Sequence, residues 1–131
     1  ENVPAADFVR ADIADLIEGG PLAQGSFAGI TAFFSLLMLP RAEIPFALGA
    51  IRDLLEPGGL LALSMVEADV DDVPIPFIGH TIRVSGYLRD ELLQVVTGAG
   101  FEVVKEDSFS YAPAAIDVPP EEQIFLYCRR A

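Results

Sequence analysis

Two apolar runs, residues 27–34 and 60–66, flank a segment of helical period that ends on Pro57-Gly58-Gly59. That arrangement restricts the fold more than any other feature. The first run, Phe27-Ala28-Gly29-Ile30-Thr31-Ala32-Phe33-Phe34, carries no charge, the pattern of a strand covered on both faces in a parallel sheet. Over residues 43–56 the period changes, with Ile44, Ala47, Leu48, Ile51, Leu54 and Leu55 recurring at helical spacing. Pro45 suits a first helical turn, where its missing N–H would have had no partner. Pro57-Gly58-Gly59 ends the helix, because proline cannot continue it and glycine can take the left-handed conformation that closes it. Residues 60–66 form a second buried strand. Strand, helix and strand with short joins make a right-handed crossover, so the sheet is parallel here.

The flanks are less regular. Residues 7–13 form a short apolar run, and a polar, glycine-containing connection follows over 15–25. Residues 67–84, interrupted by Pro74, Pro76 and Gly79, read as a long irregular loop of the kind that is functional or disordered. A second amphipathic helix is expected from Ser85, as its cap, to Thr97, with Leu88, Leu92, Val95, Val96 and Ala99 on one face. Residues 101–111 and 124–129 read as strands joined by a proline-rich connection without helical pattern, which predicts an antiparallel hairpin.

Composition removes several function classes. The 131 residues suffice for one domain with a core, and 52% hydrophobic against 21% charged residues describe a globular chain. Twenty acids against 8 bases, a formal charge of −12, leave no basic stripe for a nucleic-acid backbone. Cys128 is the single cysteine, in an apolar run, and reads as a buried inert thiol. The uncharged stretch 21–40 is broken by Gln24, Gly25, Ser26 and Gly29, so no membrane span is expected and the default is a cytoplasmic protein. The chain opens on Glu1 and not on Met, as a processed or cut chain would.

In this order and spacing the segments resemble class I S-adenosylmethionine-dependent methyltransferases from their third strand onward, over essentially residues 1–131. The residues that carry the resemblance are Val9-Arg10-Ala11-Asp12-Ile13-Ala14-Asp15-Leu16, the 27–39 segment, Leu54-Leu55-Glu56-Pro57-Gly58-Gly59 and the 92–104 segment. The resemblance implies an α/β fold: one partial class I methyltransferase (Rossmann-like) sheet with a C-terminal antiparallel hairpin. It implies S-adenosyl-L-methionine as cofactor, with Asp12 and Ile13 at the adenine and Phe34, Ser35 and Leu36 at the methionine and ribose end. Asp12 and Ser35 each end an apolar run, so both are expected on the rim where ligands bind in open α/β sheets. Many relatives carry a histidine after the fourth strand, where this chain has Met38. The family's glycine-rich first loop would lie upstream of Glu1, so the chain alone should bind the cofactor poorly. The family strand order 3-2-1-4-5-7-6 would leave residues 27–34 as a bare edge. The expected consequence is a homo-oligomer, or association with the missing N-terminal half.

The residues 67–84 and their surroundings hold the remaining candidates. His80 can serve as a general base near neutral pH, or be a loop histidine without a chemical role. Arg83 and Tyr87 are candidate substrate contacts. Glu67, Asp69, Asp71 and Asp72 lack the glycine and glutamate of a calcium loop and read as a solvated acidic segment, with no metal expected. The implied activity is methyl transfer to a small molecule, with no nucleic-acid or membrane partner. A non-catalytic oligomerisation or regulatory partner is the second interpretation. A fragment of a nicotinamide-dependent dehydrogenase is a third, against which the terminal hairpin and the Pro-Gly-Gly turn speak.

Overall fold

The computed structural model describes residues 5–16, 20–112 and 120–131. A strand β1 (Phe27–Phe33) leads through a 3-10 turn, Leu36–Met38, into helix α1 (Ile44–Leu54) and strand β2 (Leu55–Val66). β1 and β2 pair in parallel, as the crossover requires. Their register jumps from Phe27↔Leu55 to Gly29↔Leu60, so residues 56–59 are looped out, with Gly58 at φ 78°. Pro45 occupies the first turn of α1.

The chain then departs from the sequence expectation. Residues 67–84 are not an irregular loop. They hold β3 (Val70–Phe77) and most of β4 (His80–Gly86), an antiparallel hairpin that forms its own two-stranded sheet. The period-2 alternation of Val73, Ile75 and Phe77, matched by Ile82 and Val84, is a strand signal that Pro74 and Pro76 obscured. Prolines are tolerated here because both strands are edges. A bulge between Val70 and Val73 places Asp72 at φ 52°, and the turn residues Ile78 and Gly79 have φ 48° and 75°.

Helix α2 (Arg89–Gly98) starts later than expected. Ser85 lies in β4 and is not its cap. Instead the Arg89 N–H donates to Glu67 Oε2 at 2.7 Å. The last two strands, β5 (Phe101–Tyr111) and β6 (Glu121–Arg130), are the expected antiparallel pair. Part of the connection between them lies outside the described residues. The main sheet runs β1-β2-β6-β5, which is the 4-5-7-6 portion of the expected order.

Residues 7–13 form no strand. Asp12 and Asp15 close a 3-10 turn instead, Ile13–Asp15, and Phe8 and Val9 are exposed. Among the described residues no strand is available to pair with them, and an isolated extended segment leaves its backbone groups to water.

Both helices lie on one face of the main sheet. Leu61, Leu63 and Met65 of β2 alternate inward to meet Leu48, Ile51, Leu92 and Val96 of the helices, together with Ile124, Leu126 and Cys128 of β6. Burial pushes the Cys128 thiol pKa up to about 11. The opposite face is open among the described residues. Phe33, Leu60, Phe109 and Tyr127 are exposed there, and the Phe125 ring stacks edge-on to Phe34 and Phe109 at 5.6 Å in each case. The expectation that residues 27–34 are covered on both faces is therefore corrected: of β1, only Ala32 is fully buried. Among the described residues no helix is long and apolar enough to cross a membrane.

Ile78 combines a β-branched side chain, a left-handed backbone and 82% exposure. Asparagine tolerates that conformation far better, and Asn-Gly is the preferred pair for such a turn. Ile78→Asn should raise stability by about 1 kcal/mol, read as an increase in the urea midpoint at unchanged slope. A decrease would show that the isoleucine side chain contributes packing.

Candidate functional site

The carboxyl ends of β1 and β2 lie side by side, and the turn after β1 is held in an uncommon conformation. Phe34 has φ 50°. Its N–H donates both to the Ser64 carbonyl at 3.1 Å and to Ser64 Oγ at 2.9 Å. Ser64 is fully buried, so its hydroxyl is fixed where the Phe34 amide needs it. A bulky residue avoids this conformation unless its surroundings over-determine it, and such positions cluster at binding sites.

The turn divides two cavities. On one side, Ser35 and Leu36 line a space of about 200 Å3 together with Ile13, Leu22, Ile30 and Ile51. On the other, Phe34, Leu37 and Met38 line a space of about 320 Å3. Val66 and Ala68, where β2 ends, form its floor, and the hairpin covers it with Val70, Ile75, Phe77, Ile82 and Val84. Ser85, Glu121 and Gln123 are its polar lining. The larger of the two lies at the carboxyl ends of the parallel strands, where open α/β sheets bind ligands, and the smaller one extends from there back along β1 to Phe27 and Leu54. A larger and more open hollow of about 1,050 Å3 runs along α1 and α2, past Phe46, Gly49 and Gln94, to Gln24, Arg52 and Arg130 near the amino ends of the same strands. Its position argues against it as the reaction site.

The hairpin is fastened to the turn after β1 by Arg41. Its Nε donates to the Gly86 carbonyl at 2.8 Å and its guanidinium pairs with Asp69 at 2.7 Å. The Arg41 N–H donates to Asp71 Oδ1 at 3.0 Å. The guanidinium also lies 4.8 Å from the centre of the Tyr87 ring. The hydrogen bond to Asp69 raises the Arg41 pKa, and burial raises that of Tyr87. Gly86 is confined by close approach: a Cβ there would sit 2.6 Å from the Ala68 carbonyl oxygen.

The sequence candidates separate accordingly. Ile13, Ser35 and Leu36 come together at the smaller cavity, and Phe34 stands at the larger one. Asp12 is exposed beside Ile13, its N–H bonded to Asp15 Oδ2 at 3.0 Å, and it is not among the lining residues. His80 is exposed at the hairpin turn, opposite Phe77, and lines neither cavity. Arg83 projects from the hairpin face away from Ile82 and Val84 and pairs with Asp72 at 3.1 Å. Tyr87 is buried, its hydroxyl 3.4 Å from the Arg41 carbonyl that accepts its bond, so it supports the hairpin base. The acidic segment is not simply solvated either: Asp69, Asp71 and Asp72 have arginine or backbone partners, and Glu67 caps α2. Sequence reasoning missed Gln123, Glu121 and the inward residues of the hairpin. Only the alternation in residues 73–77 could have revealed the latter.

No family model and no curated protein sequence matches the chain. Solved structures match in fold. An S-adenosylmethionine-dependent methyltransferase of Methanosarcina mazei superposes with TM-score 0.65 at 13% identity, over 84% of this chain and 62% of its own. A second neighbour is the 1,6-didemethyltoxoflavin-N1-methyltransferase of Burkholderia thailandensis, whose structure contains 1,6-didemethyltoxoflavin and S-adenosylhomocysteine. It has TM-score 0.66 at 19% identity, over 95% of this chain and 50% of its own. The [4+2]-cyclase SpnF has TM-score 0.67 at 22% identity, over 95% and 55%. The chain thus spans between 50% and 62% of the length of these structures. At such identities a likeness establishes the fold, and the cyclase shows that one fold hosts more than one chemistry.

Replacing Arg41 with methionine leaves the Gly86 carbonyl and Asp69 without their donor, at a cost of about 1–3 kcal/mol. Arg41→Met should speed amide exchange across residues 70–86 while leaving β5 and β6 protected. Unchanged exchange in the hairpin would show that Arg41 does not fasten it. Over its described residues the chain has the class I fold of the S-adenosylmethionine-dependent methyltransferases.

Proposed function

We propose that residues 1–131 are the carboxyl-terminal part of a methyltransferase domain that uses S-adenosyl-L-methionine and methylates a small molecule. The supporting observation is the pair of cavities on either side of the Phe34–Leu36 turn, the smaller one continuing along β1, in a chain with this fold. Ile13, Ser35 and Leu36 would hold one side of the nucleoside. A cavity of about 200 Å3 is smaller than the range of about 300–1,000 Å3 usual for ligands of that size, which suits a partial cleft. Apolar Ile13 and Leu36 offer dispersion contacts to a purine, and the Ser35 hydroxyl can donate or accept.

The cofactor, when bound, supplies an already activated methyl group. The task of the chain is then alignment and exclusion of water. Phe34 and the hairpin residues Ile75, Phe77 and Ile82 surround the space next to the turn with apolar surface, so an acceptor there is desolvated. His80, exposed at the hairpin tip opposite Phe77, is not among the residues that line that cavity.

A second reading has a specific observation behind it. β1 is an edge strand among the described residues, and the helix-free face exposes Phe33, Leu60, Phe109 and Tyr127. Such a surface suits a second copy or a further segment of the same domain, and it fits a non-catalytic oligomerisation partner as well.

The test is S-adenosylhomocysteine binding by the full natural protein, wild type against Ser35→Arg. Ser35 is exposed, so the substitution should leave the melting temperature nearly unchanged. The arginine would obstruct the nucleoside side and weaken binding at least about tenfold, about 1.4 kcal/mol. Equal binding by both proteins would refute the placement.

A further inference from the structure

We infer that the hairpin-covered cavity selects a compact, largely apolar molecule that carries an N–H or O–H donor and no negative charge. The inference builds on the function proposed for the chain and names the class of acceptor it would take.

Size and surface come first. About 320 Å3 is at the small end of ligand cavities, and the enclosing side chains are mostly aliphatic or aromatic. Burying an apolar body there gains roughly 25 cal/mol per Å2 of surface removed from water, without any polar contact.

The three polar residues then decide what else the ligand must carry. The Ser85 hydroxyl is committed to the hairpin, accepting from the Asp72 N–H at 2.8 Å and lying 3.5 Å from Asp71 Oδ1. Gln123 Nε2 donates to Glu121 Oε2 at 3.2 Å. That bond uses one of the two Gln123 N–H groups, which leaves its carbonyl oxygen and one N–H to meet a ligand. An ionised glutamate only accepts. The acceptors of Glu121 and Gln123 thus outnumber the one remaining Gln123 N–H, so a ligand that carries a donor complements the pair best.

Charge points the same way. Glu121 is the sole charged side chain among the described lining residues, and no lysine or arginine is with it. The nearby cations face elsewhere: Arg41 is bound to Asp69 and Gly86, Arg83 to Asp72, and Arg89 to Glu106. A carboxylate or phosphate entering the cavity would lose its hydration and find a carboxylate in place of a counterion. Neutral phenols, indoles and amines, or their cations, avoid that cost. In their neutral forms they are also nucleophiles able to accept a methyl group with loss of a proton.

Three probes of one shape separate these effects: 2-naphthol, 2-methoxynaphthalene and 2-naphthoate. Binding to the full natural protein is followed by calorimetry without S-adenosylmethionine. The expected order is 2-naphthol tightest, 2-methoxynaphthalene several-fold weaker, and 2-naphthoate at least tenfold weaker than 2-naphthol. Gln123→Met keeps the side-chain length and removes the acceptor. It should abolish the preference for naphthol over its methyl ether without changing the fold by circular dichroism. Glu121→Gln should reduce the penalty on naphthoate. Naphthoate binding as tightly as naphthol, absence of binding by all three, or a preference that survives Gln123→Met would each overturn the inference. The same preparations titrated with S-adenosylhomocysteine keep the two claims apart. Selective naphthol binding without nucleoside binding supports the cavity and defeats methyl transfer, whereas nucleoside binding with unselective probes does the reverse.

Discussion

The Phe34 amide, held by two oxygens of the buried Ser64, is the constraint on which the site depends. A left-handed phenylalanine costs about 1–2 kcal/mol relative to an ordinary strand or helix conformation. The hydrogen bond that this one N–H shares between two acceptors contributes about 0.5–1.5 kcal/mol net and offsets much of that cost. The consequence is geometric. Consecutive residues of a strand would alternate between sheet faces, but the reversal at Phe34 sends its ring into one cavity and Ser35 and Leu36 into another. A short turn thereby becomes a partition between two compartments.

The hairpin that closes the larger compartment is a small sheet without a helix of its own, and two isolated strands are marginally stable in water. Its stability comes from attachments. Arg41 ties its base to the turn after β1, and Asp72 anchors its bulge through Ser85. Gly86 lets it pass against the end of β2. The acids of residues 67–72 thus serve as partners for arginines and backbone amides, which explains their density better than a metal site does. A lid held by a few polar contacts, and not by a deep core, can open to admit a ligand at modest cost.

Legibility followed burial and period. The unit from β1 through α1 to β2 was readable because its apolar spacing and its Pro-Gly-Gly stop agree at every level. The β5–β6 pair was readable for the same reason. The hairpin was not, because Pro74 and Pro76 are breakers in most contexts and become acceptable only once both strands are known to be edges. Ser85 was mistaken for a helix cap because its type is right, while its actual partner, Asp72, is defined only by the folded hairpin. At the candidate site, Phe34, Ser35 and Leu36 were expected from their place after a strand, whereas Ile13 reaches the smaller cavity from a 3-10 turn and not from the strand end expected of it. Gln123 and Glu121 were not, since nothing local distinguishes a polar residue at the start of β6 from any solvated one. Arg83 looked chemical in the sequence, yet strand alternation turns it to the face opposite Ile82 and Val84, and His80 is exposed at the hairpin tip outside the lining.

A structure of the full natural protein with S-adenosylhomocysteine tests the central claim most directly. The account predicts the adenosine against Ile13, Ser35 and Leu36, with the sulfur directed across the Phe34 turn toward the hairpin-covered cavity. The ligand lying in the open hollow beside Gln24, Arg52 and Arg130, at the other end of the strands, would contradict it.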